Sequence, residues 1–298
     1  MQTAPDRRNP WRNRDRGSCT ESLRDRCPGG EQLPGGGEVL IVIDPVARRV
    51  DGESVRIARD VLCAGADDAR VCLLEPDRPG SMARALARRG HRRVVVVGDD
   101  RALLWAVRLL HGRGELDERP LGVVPVGPAP TVAVARSLGV PPDPVHASRA
   151  VLHGPTRPVD ALEDDAGELV LGVLGIPAPP PSTVPPPRSW WRPARRPEVP
   201  PPPAQRLRVE ADGKVLADVD RPVRQVSLSA EDGLAAVVVR PGSGDPAVVA
   251  RAKRVTVSGP GFSYRADAGD RGPERTRTWL ARPGAMRLSL PAVRAGRV

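Results

Sequence analysis

The strongest constraint on how this chain can fold is the run Val94-Val95-Val96-Val97, followed at once by Gly98-Asp99-Asp100-Arg101. Four consecutive β-branched residues describe a strand buried on both faces, because a half-covered strand alternates apolar and polar positions. Beyond the polar turn, Leu103, Val107 and Leu110 recur at helical spacing. Strand, tight polar turn and helix together make an anion site, since the first N–H groups of the helix and its dipole face the turn. An ordinary strand-to-helix turn that binds nothing carries the same pattern.

The alternation repeats on either side. Residues 39–43, 70–74, 93–97 and 121–126 read as strands, and 157–162 as a further short one; residues 52–64, 81–89, 102–113, 131–138 and 143–153 read as helices. Such repetition predicts a parallel sheet with helices on both faces, and ligands that bind at the carboxyl ends of its strands. Asp44, Asp100 and Gly127 stand at those ends. From Gln205 the texture changes to short strands, at 206–210, 214–219, 223–228, 234–239, 254–258, 264–266, 276–280 and 286–290. Turn signals separate them, among them Asp212-Gly213, Asp232-Gly233, Gly259-Pro260-Gly261 and Pro283-Gly284. That pattern predicts an antiparallel β-sandwich. The fold class is therefore α/β plus all-β, divided into an α/β domain at 38–165 and a sandwich at 166–176 and 205–292. Residues 1–37 carry almost no aliphatic side chains and are expected to be a disordered basic tail. Residues 177–204 are dominated by proline and are expected to be an extended insertion.

The formal net charge of +10 invites a nucleic-acid reading. Yet Lys214 and Lys253 are the only lysines, and much of the net charge lies in the tail and the proline-rich stretch. The bias towards Arg, Ala, Gly, Pro and Val reflects a GC-rich, bacterial coding sequence, so no nucleic-acid partner is expected. No apolar run approaches the roughly 20 residues of a membrane span. The first residues lack the apolar stretch of a signal peptide. The cytoplasm is thus the expected location, with peripheral contact to a membrane as the other option. Cys63 and Cys72 form no CxxC pair and have no histidine at zinc spacing.

The order of motifs from residue 38 to 291 resembles the diacylglycerol kinase catalytic-domain family. These are soluble lipid kinases related to sphingosine kinases and more distantly to NAD kinases. Ile43-Asp44-Pro45 stands where that family closes its first strand with Asn-Pro, and Gly98-Asp99-Asp100-Arg101-Ala102 where its nucleotide loop reads Gly-Gly-Asp-Gly-Thr. The segment from Leu121 to Gly127, then Ala135-Arg136 and Leu138-Gly139, match both ends of its next strand and loop. Asp232-Gly233 and Pro283-Gly284-Ala285-Met286-Arg287 resemble later motifs, and the segment from Tyr264 to Gly269 stands at its Asp-Gly-Glu.

The resemblance implies a nucleotide-binding α/β domain, ATP and Mg²⁺ as cofactors, and phosphoryl transfer to a hydroxyl of a lipid substrate at a membrane surface. It assigns nucleotide binding to Asp44, Gly98, Asp99, Asp100, Arg101 and Gly127, the metal to Asp100 and Asp232, and the catalytic base to Asp267 or Asp270. The chain departs from the family where the chemistry would occur. Asp99 and Arg101 replace loop glycines, Ala102 lacks the threonine hydroxyl, and Gly269 stands in place of the glutamate base. Two readings follow: a lipid kinase with a divergent loop, or a pseudokinase that keeps the fold and acts as a binding or regulatory protein. A basic nucleic-acid-binding protein is a third.

Overall fold

The structure, a computed structural model, describes residues 37–178 and 203–292 apart from Asp77, Pro79 and Ala268. The expected tail at 1–37 and insertion at 177–204 lie outside the described residues except at their edges.

The first domain follows the periodicity of its sequence. It runs β1 (Glu38–Ile43), α1 (Pro45–Val50), α2 (Gly52–Gly65), β2 (Asp68–Leu73), α3 (Ser81–Ala87), β3 (Arg93–Gly98), α4 (Asp100–His111) and β4 (Gly122–Pro125). A 3-10 turn (Ala129–Val132), α5 (Ala133–Ser137) and α6 (Pro144–His153) complete it. The strands pair in parallel in the order β2-β1-β3-β4. β1, β3 and β4 are buried almost throughout, as continuous aliphatic runs require, while the outer strand β2 is only partly covered. α2 packs with α6, and α4 packs with α3 and α5, which covers the two faces. Aspartates set the helix starts: Asp44, Asp51, Asp99 and Asp143 each accept an N–H of the turn that follows. The short α1, which sequence periodicity does not reveal, is built by such a cap with Pro45 at its first position.

From β1 the chain steps outwards to β2, and from β3 it steps the other way to β4. The order therefore reverses between β1 and β3, and a crevice opens beyond their carboxyl ends.

The second domain contains β5 (Thr156–Asp164), β6 (Leu169–Val170), β7 (Val173–Ile176), β8 (Arg208–Ala211), β9 (Lys214–Ala217), β10 (Val223–Glu231), β11 (Leu234–Pro241), β12 (Val248–Ala252), β13 (Arg254–Ala266) and β14 (Gly269–Ser289). They form one ten-stranded antiparallel sheet around a second core that includes Phe262, Tyr264 and Trp279. Tyr264 and Trp279 meet edge to face with ring centroids 5.3 Å apart.

The strand expected at 157–162 as part of the α/β alternation pairs instead with β14, in the antiparallel sheet. Two expected turns are also absent. Gly259-Pro260-Gly261 and Pro283-Gly284 lie inside β13 and β14, where the pairing register shifts between Ser258 and Phe262 and between Arg282 and Met286. Extra residues at such bulges bend a strand without ending it, so sequence signals for turns here mark kinks.

β14 ends beside the first domain. The Leu121 N–H donates to the Arg287 carbonyl (2.8 Å), and the Ser289 N–H donates to the Leu121 carbonyl (3.0 Å). Met286, Leu288 and Leu290 accordingly belong to the core of the α/β domain.

Candidate functional site

The crevice is formed at the ends of β1 and β3. The Asp44 N–H donates to the Val97 carbonyl (2.9 Å), which holds the two strand ends together. Gly98 is required by this approach: a Cβ there would lie 2.9 Å from the Asp44 Cβ and 3.0 Å from the Ala102 Cβ. The Val126 N–H donates to the Gly98 carbonyl (2.9 Å) and brings Gly127 alongside. Gly127 has φ +149°, and a Cβ there would stand 2.7 Å from Thr131 Oγ1 and 3.8 Å from the Asp99 Cβ. Asp44, Gly98, Asp99, Asp100 and Gly127 are thus brought together, with Arg101 exposed on the first turn of α4.

The two neighbouring aspartates have different tasks. Asp99 caps its own helix: its Oδ1 accepts the N–H groups of Arg101 (3.0 Å) and Ala102 (3.1 Å). Asp100 is only 2% exposed and turns towards α5. Its two carboxylate oxygens accept the N–H groups of Val134 (2.8 Å) and Ala135 (2.9 Å). Sequence reasoning gave Asp100 to a metal; the structure gives both of its oxygens to a helix start.

Asp267 reaches the same region from the second domain. It sits in the β13–β14 turn at φ +50°, and its oxygens accept the N–H groups of Leu171 (3.0 Å) and Gly172 (2.7 Å). Gly172 in turn lies close to Val134 and Ser137 of α5. These backbone partners carry no side-chain signal and could not be found from the sequence.

The result is a chain of carboxylates, Asp44, Asp99, Asp100 and Asp267, that act on one another. Burial is the largest influence on Asp44, Asp100 and Asp267, and it pushes all three up from the usual carboxylate value. The charge of Asp99 adds to the rise at Asp44 and Asp100, and that of Asp100 adds to the rise at Asp267.

The other two acidic residues singled out in the sequence do not join this chain. Asp270 is bound by the Arg265 guanidinium at 2.6 and 3.0 Å, and that hydrogen bond holds it below its ordinary value. Asp232 occupies the β10–β11 turn at φ +49°, its side chain 87% exposed and paired with Arg251 at 3.0 Å. The neighbouring Gly233 N–H and the Gly284 N–H both donate to Asp160, at 2.7 and 2.8 Å, so the Asp-Gly and Pro-Gly motifs are tied together by one carboxylate. Among the described residues no group of three or more potential ligands is arranged to hold a metal ion.

An ion pair joins the two domains. Glu168, between β5 and β6, receives Arg108 of α4 at 2.6 Å and Arg271 of β14 at 2.9 Å.

A parallel domain with a crevice at its reversal point, completed by an antiparallel domain that delivers a carboxylate, defines a two-domain α/β class. Residues 39–163 match the family model of the diacylglycerol kinase catalytic domain. No curated protein matches the sequence. The fold is similar to that of a candidate diacylglycerol kinase from Bacillus anthracis str. Sterne, with TM-score 0.69 and 14% identity over 86% of this chain and 98% of the other. A second structure described as a diacylglycerol kinase from the same organism gives TM-score 0.64 and 14% identity over 87% and 98%. No helix among the described residues is long and apolar enough to cross a membrane.

Proposed function

We propose that this protein keeps the diacylglycerol kinase fold without its phosphoryl-transfer chemistry and serves as a binding or regulatory protein. The observation that carries this reading is the Asp99 carboxylate on the N–H groups of Arg101 and Ala102. Those are the donors a helix start offers to a phosphate, and here a fixed anion already uses them. An incoming polyphosphate must displace that anion and then face Asp44 and Asp100. ATP with Mg²⁺ does not fit these residues. The oxygens of Asp100 and Asp267 are each engaged by backbone N–H groups, and Asp232 is paired elsewhere. Gly269, at the place of the family's base, has no proton acceptor in its side chain.

One observation favours the kinase reading. Asp267 is pushed up from its ordinary value, as suits a general base.

Titration with Mg-ATP, followed by thermal unfolding, separates the two. A ligand at 100 times its Kd stabilises a fold by about 2.7 kcal/mol. The unmodified protein should show no shift, and Asp99→Gly with Arg101→Gly should gain one. Gly269→Glu should be needed in addition for labelled phosphate to reach a lipid extract; a Cβ at Gly269 would have only ordinary contacts, the nearest 3.6 Å away. Robust lipid phosphorylation by the unmodified protein would overturn the proposal.

A further inference from the structure

In the second domain β7, β10, β11 and β12 are neighbours, and the outer face of this part of the sheet is short of polar side chains. We infer that this face is the contact between two copies of the chain, stacked sheet on sheet about a two-fold axis that runs across the strands.

The pairing register gives the outward positions. Ser229 of β10 stands between Val173 of β7 and Ala236 of β11, and Ser227 stands between Gly175 and Val238. Val238 is in turn opposite Val249 of β12. The alternate residues Leu174, Leu228 and Val237 are fully buried in the second core. An antiparallel sheet with one solvated face normally carries polar side chains there. Here the outward positions are Gly, Ala, Ser and Val. Val249 (69%) and Val173 (60%) are the most exposed large apolar side chains among the described residues. A Cβ added at Gly175 would meet nothing within 4 Å, so no described residue covers the face at that point.

Charge identifies the occupant. At one end of the β10–β11 pair Arg224 and Arg240 are exposed, while Asp245, in the loop after β11, accepts the Ser243 hydroxyl. At the other end Glu231 and Asp232 are exposed. Arg251 pairs with Asp232, and Glu231 accepts the Ser229 hydroxyl (2.8 Å) on the outer face. The basic and acidic ends stand about 20 Å apart along the strands. A two-fold axis across the strands lays the Arg240 end of each copy over the Glu231 end of the other, so one patch complements itself twice. The short side chains between these ends let two sheets approach to the roughly 10 Å of a sandwich. Four strands over this length present about 400–500 Å², roughly half of the 800 Å² per partner of a stable interface. The dimer is therefore reversible and forms at micromolar concentrations and above.

Sedimentation equilibrium of the full-length protein from about 1 to about 500 micromolar tests this. The mass should rise from one chain to two over that range, and added salt should shift the equilibrium towards the monomer. Val238→Glu sets a charge in the middle of the face and should weaken association at least tenfold, with thermal unfolding as the check that the variant is folded. Arg240→Glu and Glu231→Arg should each weaken association roughly fivefold or more, and the two together should restore it. That rescue decides the matter even where Val238→Glu fails to fold. A monomer throughout the range overturns the inference. So does a dimer indifferent to a folded Val238→Glu, or a double charge reversal no better than either single one, because the contact would then lie elsewhere or in another orientation.

Discussion

Replacement of Asp100 by alanine tests whether its carboxylate is an architectural element. In the structure this side chain, 2% exposed, is the acceptor for the Val134 and Ala135 N–H groups at the start of α5. Asp100→Ala leaves two buried donors without an acceptor, each at a cost of about 1–3 kcal/mol. The variant is also relieved of a buried charge, which offsets part of the loss, because burial and Asp99 both disfavour the ionised form. The expected net loss is about 2–4 kcal/mol. At roughly 2–4 °C per kcal/mol, the thermal midpoint should fall by about 5–15 °C. Urea denaturation by circular dichroism measures the total, and amide hydrogen exchange locates it: Val134 and Ala135 should lose protection before the strands of the parallel sheet do. A residue kept only for a metal would cost nothing in stability when removed. A variant within about 0.5 kcal/mol of the parent, the range of an inconsequential surface change, and with unchanged exchange at Val134 and Ala135, would refute the capping role.

Two further outcomes are expected. Gly98→Ala places a Cβ 2.9 Å from the Asp44 Cβ and 3.0 Å from the Ala102 Cβ, atoms that cannot swing aside; chemical denaturation should show a loss of about 1–3 kcal/mol, as for other overpacked sites. Asp44 is raised above its ordinary 3.8, first by burial and then by Asp99, so its ionisation weakens the fold; the weakening is absent below 3.8 and complete above the raised value. Asp44→Asn should therefore gain stability relative to the parent as pH rises through that window, and parallel pH–stability curves for the two proteins would contradict the assignment.

Much of the first domain was legible because its strands are continuous aliphatic runs and its longer helices keep a clear period. Val94 to Val97 admits no other reading than a strand covered on both faces. The roles of Asp99 and Asp100 were not legible. Adjacent residues share a sequence environment, but one carboxylate serves its own helix and the other serves a helix more than thirty residues on. Spacing reveals which side chains share a face, not which distant N–H a carboxylate will meet. Glycine and proline misled in the second domain for a related reason: both end strands and also permit bulges, and only the partner strand decides between these outcomes. The crevice was legible in outline, since Asp44, Gly98 and Gly127 follow strands whose parallel order places their ends together.

The return of β14 to Leu121 has a consequence for how the chain is made. The segment that matches the family model ends at residue 163, yet Met286, Leu288 and Leu290 close its core and Ser289 pairs with Leu121. At ribosomal rates of about 5–20 residues per second, those closing residues emerge on the order of ten seconds after the rest of the α/β domain. Through that interval the Leu121 side of the sheet is an open edge, the kind of surface on which nascent chains pair wrongly. The second domain is thus a tether that must be spun out before the first can be sealed, and synthesis of β14, not completion of the matched segment, marks the moment at which the crevice acquires its final shape.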